Sequence, residues 1–274
     1  CMSLTVLTAL LVSSTALTAL SPRQPAPRTP PPPLASASPQ QLTPTRLAIG
    51  ATWLAAVGYA AIGSPGEVNS PADTELILKL FDTAQLGSVN PIFFSVFNSL
   101  GLLPLAYSAV LAPGARDQSP VPPATIATSF ALGFGGLAPY LALRQARPEP
   151  ITRSSLNFTG RLLENKLLVA VPVLLASLAL AAKVATIGPA FDEAVAEYAA
   201  LFATSKFVHI SSLDLCVLSL FFFEPCAEDM MRRGWFPSDG EAPQPAQLAR
   251  LAIFCALPVI GPALYLVLRP PLDE

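Results

Sequence analysis

Six apolar runs, residues 47–63, 91–112, 125–143, 167–188, 207–223 and 248–268, alternate with connectors that hold most of the charge, and this alternation dominates the chain. A helix needs about 20 apolar residues to cross the hydrocarbon of a bilayer, within a range of about 17–25. The last five runs meet that length. The first is marginal, being short, rich in alanine and glycine (Gly50, Gly58, Gly63) and joined to a proline-rich leader. The fold expected is therefore all-α, a polytopic membrane helical bundle of five transmembrane helices, or six if 47–63 also crosses. Composition agrees: 52% of residues are hydrophobic, only 12% are charged, and the mean hydropathy is +0.53. So few charges could not cover a soluble surface of this size.

Several function classes drop out. A net charge of -2 gives no basic face for nucleic acid. The four cysteines, Cys1, Cys216, Cys226 and Cys255, show no CxxC or zinc spacing, so neither a disulfide framework nor a metal site is expected. One histidine cannot build a di-iron oxygenase site. GxGxxG, GxxxxGK[ST] and CxxCH are all missing from the sequence, so no cofactor is expected. No internal repeat is visible, which counts against a small transporter.

Residues 1–46 read as a targeting leader, disordered and proline-rich. An apolar stretch from Leu4 to Leu20 precedes a segment that carries Arg23, Arg28 and Arg46, and the first carboxylate in the chain is Glu67. A signal-like stretch followed by an acid-free, arginine-bearing segment resembles the bipartite presequence of algae with secondary plastids. Its rival is a secretory signal with a proline-rich linker. Residues 47–90 then form a marginal apolar segment and polar connector, and 91–274 the transmembrane helical domain. The connector 144–166 holds Arg144, Arg147, Arg153, Arg161 and Lys166 and should face the stroma or cytosol, with 224–247 on the same side and the acidic stretch around Asp192, Glu193 and Glu197 opposite. Counting spans backwards places 64–90 on the positive side. Pro104 beside Gly101, the group Gly133, Gly135 and Gly136, and the group Pro258, Gly261 and Pro262 should kink their helices.

Candidate chemistry lies in the run 207–223, which carries His209 and Asp214. Ionisable groups at membrane depth are costly and mark functional sites by default, although polar side chains also act as glue between helices. At 100° per residue His209, Ser212 and Cys216 share a face, whereas Asp214 lies about 140° round from His209. The two groups therefore point into different grooves. Ser95, Asn98 and Tyr107 are candidate hydrogen-bonding partners across the bundle, and Lys183 is placed to snorkel to the interface.

The segment FFSVFNSLGLLPLAYSAVLAP, Phe93 to Pro113, resembles the first membrane segment of the neoxanthin synthase family of plants, the type whose loss causes abscisic acid deficiency. SKFVHISSLDL, Ser205 to Leu215, resembles that family's later helix, and FCALPVIGPALYLVLR loosely matches its close. The run 167–188 has no counterpart in that compact four-helix family. NPIFFSVFN, EDMMRRGW and VIGPALYLVLRPPL are at least as similar to plastid and cyanobacterial membrane proteins without an assigned activity. The resemblance implies a cofactor-free xanthophyll isomerase that turns a 5,6-epoxide into an allene, with Asp214 and His209 as catalytic acid and base and Asn98, Tyr107 and Ser212 against the substrate. It also implies a plastid membrane, thylakoid or envelope, with membrane lipid and carotenoid as partners. The alternative is a non-enzymatic accessory or assembly protein of a photosynthetic complex, touching chlorophyll or carotenoid at most through His209 or Asn98.

Overall fold

The computed structural model describes residues 43–115, 118, 122–237 and 242–273; the leader expected over 1–46 lies outside them except for its last four positions. The helices are α1 (Pro44–Gly58), α2 (Pro71–Phe81), α3 (Pro91–Leu111), α4 (Pro122–Leu132), α5 (Phe134–Leu143), α6 (Phe158–Leu163), α7 (Val171–Ala185), α8 (Phe191–Thr204), α9 (Lys206–Phe221), α10 (Phe223–Arg232), α11 (Pro245–Ala256) and α12 (Ile260–Leu268). Among the described residues there is no strand, only an isolated bridge between Thr152 and Asp273. Four continuous stretches are long and apolar enough to cross a membrane: Pro44–Gly63, Pro91–Gly114, Lys166–Ala185 and Lys206–Arg232. The protein is a helical membrane bundle.

Local chemistry sets where these helices begin. Thr43 caps α1, its hydroxyl accepting from the Arg46 amide, and Pro44 supplies a first residue that needs no amide partner. That earlier start gives the marginal run 47–63 the length it lacked. Asn90 caps α3 ahead of Pro91, and Ser205 caps α9. Pro104 is accommodated inside α3 without a break.

The runs 125–143 and 248–268, expected to span, do not. Each folds back on itself. The first turns at Gly133, whose φ of 53° is open to glycine and strained for other residues. A Cβ on Gly136 would stand 2.7 Å from the Thr128 carbonyl carbon, so the arms α4 and α5 lie backbone to backbone. The second turns at Val259, a β-branched residue held at a φ of 64°, with the Ile260 amide donating to the Pro258 carbonyl at 2.7 Å. Gly261 lies hard against the Phe254 carbonyl, the same close approach as at Gly136. Arms of 9 to 12 residues reach only about 14–18 Å, roughly half the hydrocarbon thickness. Both ends of each hairpin therefore lie at one end of the bundle, as the bonds of Gln118 to the Gln145 amide and carbonyl show for the first.

These hairpins reveal a duplication that the sequence alone did not. A spanning helix, a short helix, a second spanning helix and a fold-back hairpin occur in that order over 44–143 and again over 166–268. The returning arms carry the same signature, G-x-A-x-Y-L-x-L-R, as Gly136 to Arg144 and Gly261 to Arg269. Contacts repeat as well. The α3 cap Asn90 donates to Glu197 and the Ala194 carbonyl on α8, and the α9 cap Ser205 donates to Asp73 on α2. Each half thus anchors its second spanning helix on the other half's short helix. The two second spanning helices meet at the centre, where Tyr107 donates to the Leu218 carbonyl at 2.6 Å and stacks edge-on against Phe222.

The duplication also corrects the topology. Because 125–143 turns back, it adds no crossing, and the connector 64–90 joins the acidic stretch around α8 rather than the basic end. The Asp73 and Asn90 contacts place it there directly. The arginine-rich connector 144–166 and the segment after Glu224 do share one end, as their charge implied.

Candidate functional site

Besides the Asp73–Ser205 and Asn90–Glu197 anchors, three polar centres interrupt the apolar interior among the described residues. At the basic end, the arginines that close the two hairpins meet the end of the fourth spanning stretch. Arg144 donates to Glu224 and Glu228, each at 2.5 Å. Arg269 reaches Asp229 at 3.1 Å and Glu164 at 2.9 Å, and also donates to the Ala109 carbonyl. Arg232 pairs with Glu228 and Asp229, and Arg233 with Asp229 and Glu164, while Tyr265 donates its hydroxyl to Asp229 at 2.8 Å. Four guanidiniums face four carboxylates. Burial pulls the Arg144 guanidinium down, but Glu224 and Glu228 outweigh it and push its pKa above the usual arginine value. Arg233 rises for the same reason, through Asp229 and Glu164. Such a charge-matched cluster is a clasp: it locks both hairpins to α10 and pairs all four carboxylates with arginines, leaving only the Nε atoms of Arg144 and Arg232 without a partner among the described residues.

The second centre is Asp214, about 12 Å along the helix from Lys206 and so near mid-membrane. Its carboxylate accepts the Phe134 amide at 2.8 Å, at the start of α5 and the tip of the first hairpin. Gly133 has no Cβ to displace it, and a Cβ there would fall on the carboxylate. Asp214 supplies from the second half the cap that α5 lacks in its own sequence.

The third centre lies at the opposite end, where α1 loosens into a π-helical turn, Tyr59–Gly63, with the Ser64 amide reaching back to the Tyr59 carbonyl. Turns of this kind re-aim side chains and recur at functional sites. Gly63 lies against the Tyr59 ring, where a Cβ would stand 2.8 Å from Cδ2. The ring is directed at His209, whose Nε2 is 2.9 Å from the Tyr59 hydroxyl; Nδ1 is 2.8 Å from the Phe202 carbonyl oxygen. A carbonyl only accepts, so in the neutral imidazole Nδ1 carries the proton and Nε2 accepts from the phenol. Phe202 also lies against the imidazole, ring centroids 4.2 Å apart. His209 is 8% exposed, whereas Tyr59 is 40% exposed, so the chain carbonyl, imidazole, phenol opens outward at the tyrosine. Lys206 holds the turn by donating to the Ala60 carbonyl at 3.0 Å.

His209 and Asp214 have no partner in common, as their helical angle required. The expected substrate contacts are bound into the scaffold: Asn98 donates to the Phe94 carbonyl, Tyr107 to Leu218, and Ser212 accepts from Tyr198 while donating to Val208. Ser95 donates to the Pro91 and Leu180 carbonyls, and the Lys183 ammonium sits 4.8 Å over the Phe94 ring. Among the described residues no group of His, Cys, Asp and Glu could hold a metal ion. Tyr59 was missed in the sequence because its run read as marginal; the available signal was an aromatic residue between Gly58 and Gly63. The clasp was legible only as EPCAEDMMRR, charge of both signs directly after an aromatic run.

Set against family models, curated proteins and solved structures, the chain matches none. Its class follows from the fold alone: a multi-pass helical membrane protein with candidate polar chemistry at one end and an ionic clasp at the other.

Proposed function

We propose that the protein is a cofactor-free membrane enzyme that moves a proton on a lipid-phase substrate, with Tyr59 meeting the substrate and His209 exchanging the proton behind it. The observation that carries this reading is the oriented chain Phe202 carbonyl, His209, Tyr59, whose outer member is exposed. Orientation of an imidazole by a fixed acceptor is what makes such a pair useful for general acid–base catalysis. The particular reaction favoured is the one implied by the neoxanthin synthase resemblance, in a plastid membrane. There the epoxide C–O bond opens as its oxygen gains a proton, a C–H bond of the adjoining polyene breaks to form the allene, and the phenol–imidazole pair returns to its starting state. No electrons are exchanged, so no redox cofactor is needed. Asp214 serves here as a positioning residue, holding the hairpin tip against α9.

The test is expression in a host that makes epoxy-xanthophylls. Tyr59→Phe and His209→Ala should each lose the allenic pigment while accumulating normally in the membrane. Unchanged pigment in both variants refutes the assignment. The non-enzymatic accessory reading is favoured by one observation, that Asn98, Tyr107 and Ser212 are all committed to the scaffold; co-migration with a photosynthetic complex on a native gel would select it.

A further inference from the structure

At the clasp end, the second hairpin and Trp235, just after α10, form a groove of about 430 Å³ lined by Trp235, Arg250, Ile253, Phe254, Leu264 and Leu268. Its polar element is Arg250, whose guanidinium lies 5.0 Å over the Trp235 ring. Trp235 is itself held in place by Phe254, stacked at 6.3 Å, and by Tyr265. Every guanidinium of the clasp is paired with carboxylates, whereas among the described residues none pairs with Arg250, which is exposed. A guanidinium stacked on an indole keeps the N–H groups of its edge available, in the planar fork that fits a phosphate. Ile253 and Leu268 extend the groove as exposed apolar surface, 58% and 51% accessible. The groove therefore sets one cation on an aromatic platform beside apolar surface, the pairing of features that complements the phosphate and acyl chain of an anionic lipid.

We propose that this groove binds an anionic phospholipid, phosphate on Arg250 and acyl chain along Ile253 and Leu264. Charge complementarity selects the lipid: the site offers one cation that no carboxylate of the described residues pairs and, among its lining residues, no carboxylate that would favour a choline or ethanolamine. The site lies at the opposite end of the bundle from Tyr59 and does not depend on the proposed activity.

Full-length protein released from mixed micelles of phosphatidylglycerol and phosphatidylcholine, examined by native mass spectrometry, tests this. The wild type should retain phosphatidylglycerol over phosphatidylcholine by about fivefold, the scale of one cation at a membrane surface. Arg250→Gln should abolish that preference, and Arg250→Lys should restore only part of it. Equal retention of the two lipids by the wild type, or an undiminished preference in Arg250→Gln, overturns the proposal. Because Arg250 is exposed and outside the clasp, the melting temperature of Arg250→Gln should match the wild type in lipid-free detergent. Loss of preference accompanied by a lowered melting temperature there would also count against a direct contact.

Discussion

Asp229 is the most heavily engaged side chain in the protein, and Asp229→Ala is the sharpest test of the clasp. The carboxylate is fully buried and receives Arg232 at 2.8 Å, Arg233 at 2.8 Å, Arg269 at 3.1 Å and the Tyr265 hydroxyl at 2.8 Å. Its removal leaves three buried guanidiniums to share Glu164 and Glu228. Removing one partner of a buried pair costs about 3–5 kcal/mol, mostly because the remaining charge is left uncompensated. The individual bonds do not add, so the expected loss is about 4 kcal/mol, nearly three decades in the folding equilibrium. Asp229→Asn removes the same charge and turns an NH2 donor toward a guanidinium, because both carboxylate oxygens accept from arginines, so it should lose about as much. The assay is reversible unfolding by dodecyl sulfate in mixed micelles, followed by tryptophan fluorescence. Trp235 reports locally, since it packs on Tyr265, itself bonded to Asp229. Asp192→Ala, at an exposed position on α8, is the control. If Asp229→Ala unfolds at the same point as Asp192→Ala, the clasp does not hold the hairpins and the energetic argument fails.

Three further outcomes follow from the geometry. Gly133→Ala should destabilise the first hairpin by about 2–4 kcal/mol, combining positive-φ strain with the displaced Asp214 cap, whereas Gly87→Ala, where a Cβ meets nothing within 4 Å, should be silent in the same assay. Tyr59→Phe removes one half-exposed hydrogen bond and should cost about 1 kcal/mol or less, so any loss of activity would report chemistry rather than folding. In a background without native cysteines, single cysteines at Ser88 and Ala190 should react with a membrane-impermeant label from the same side and one at Ser154 from the other; labelling of Ser88 and Ser154 from one side would restore the topology in which 125–143 crosses.

The apolar runs made the all-helical membrane fold legible, because length and hydrophobicity are summed over a segment and survive local irregularity. The hairpins were not legible for the same reason. A hydropathy sum treats Gly133 and Val259 as ordinary apolar residues, although each reverses the chain. The glycines at 133, 135 and 136 and the group Pro258, Gly261 and Pro262 were visible and read as kinks; what marked them as breaks was their occurrence at corresponding places in two halves. That correspondence rests on a single nine-residue signature, since the other elements kept their order while their sequences diverged. His209 and Asp214 were singled out from the cost of polar groups in lipid. Their partners, a phenol on a π-turn and an amide freed by a reversed chain, depend on backbone geometry that the sequence states only indirectly.

The divergence between the halves carries its own test. Tyr140 and Tyr265 occupy the same place in the repeated signature, and both are fully buried. Tyr265 donates to Asp229, but the Tyr140 hydroxyl has no partner among the described residues. The reason is that the end of Lys206–Arg232 supplies Glu224, Glu228 and Asp229, whereas the corresponding end of Pro91–Gly114 reads AVLAPG and supplies no carboxylate. One helix therefore clamps both hairpins, reaching Arg144 of the first and Arg269 of the second. A buried hydroxyl left unsatisfied costs about 1–3 kcal/mol, while one bonded to a charged group contributes about 1.5–3 kcal/mol. Identical substitutions should thus act in opposite directions. Tyr140→Phe should leave stability unchanged or raise it by about 1 kcal/mol, and Tyr265→Phe should lower it by about 2 kcal/mol. The comparison is made by the same unfolding titration. Equal losses at the two tyrosines would mean that the halves are clamped alike, and that the asymmetry of the clasp is not what organises the bundle.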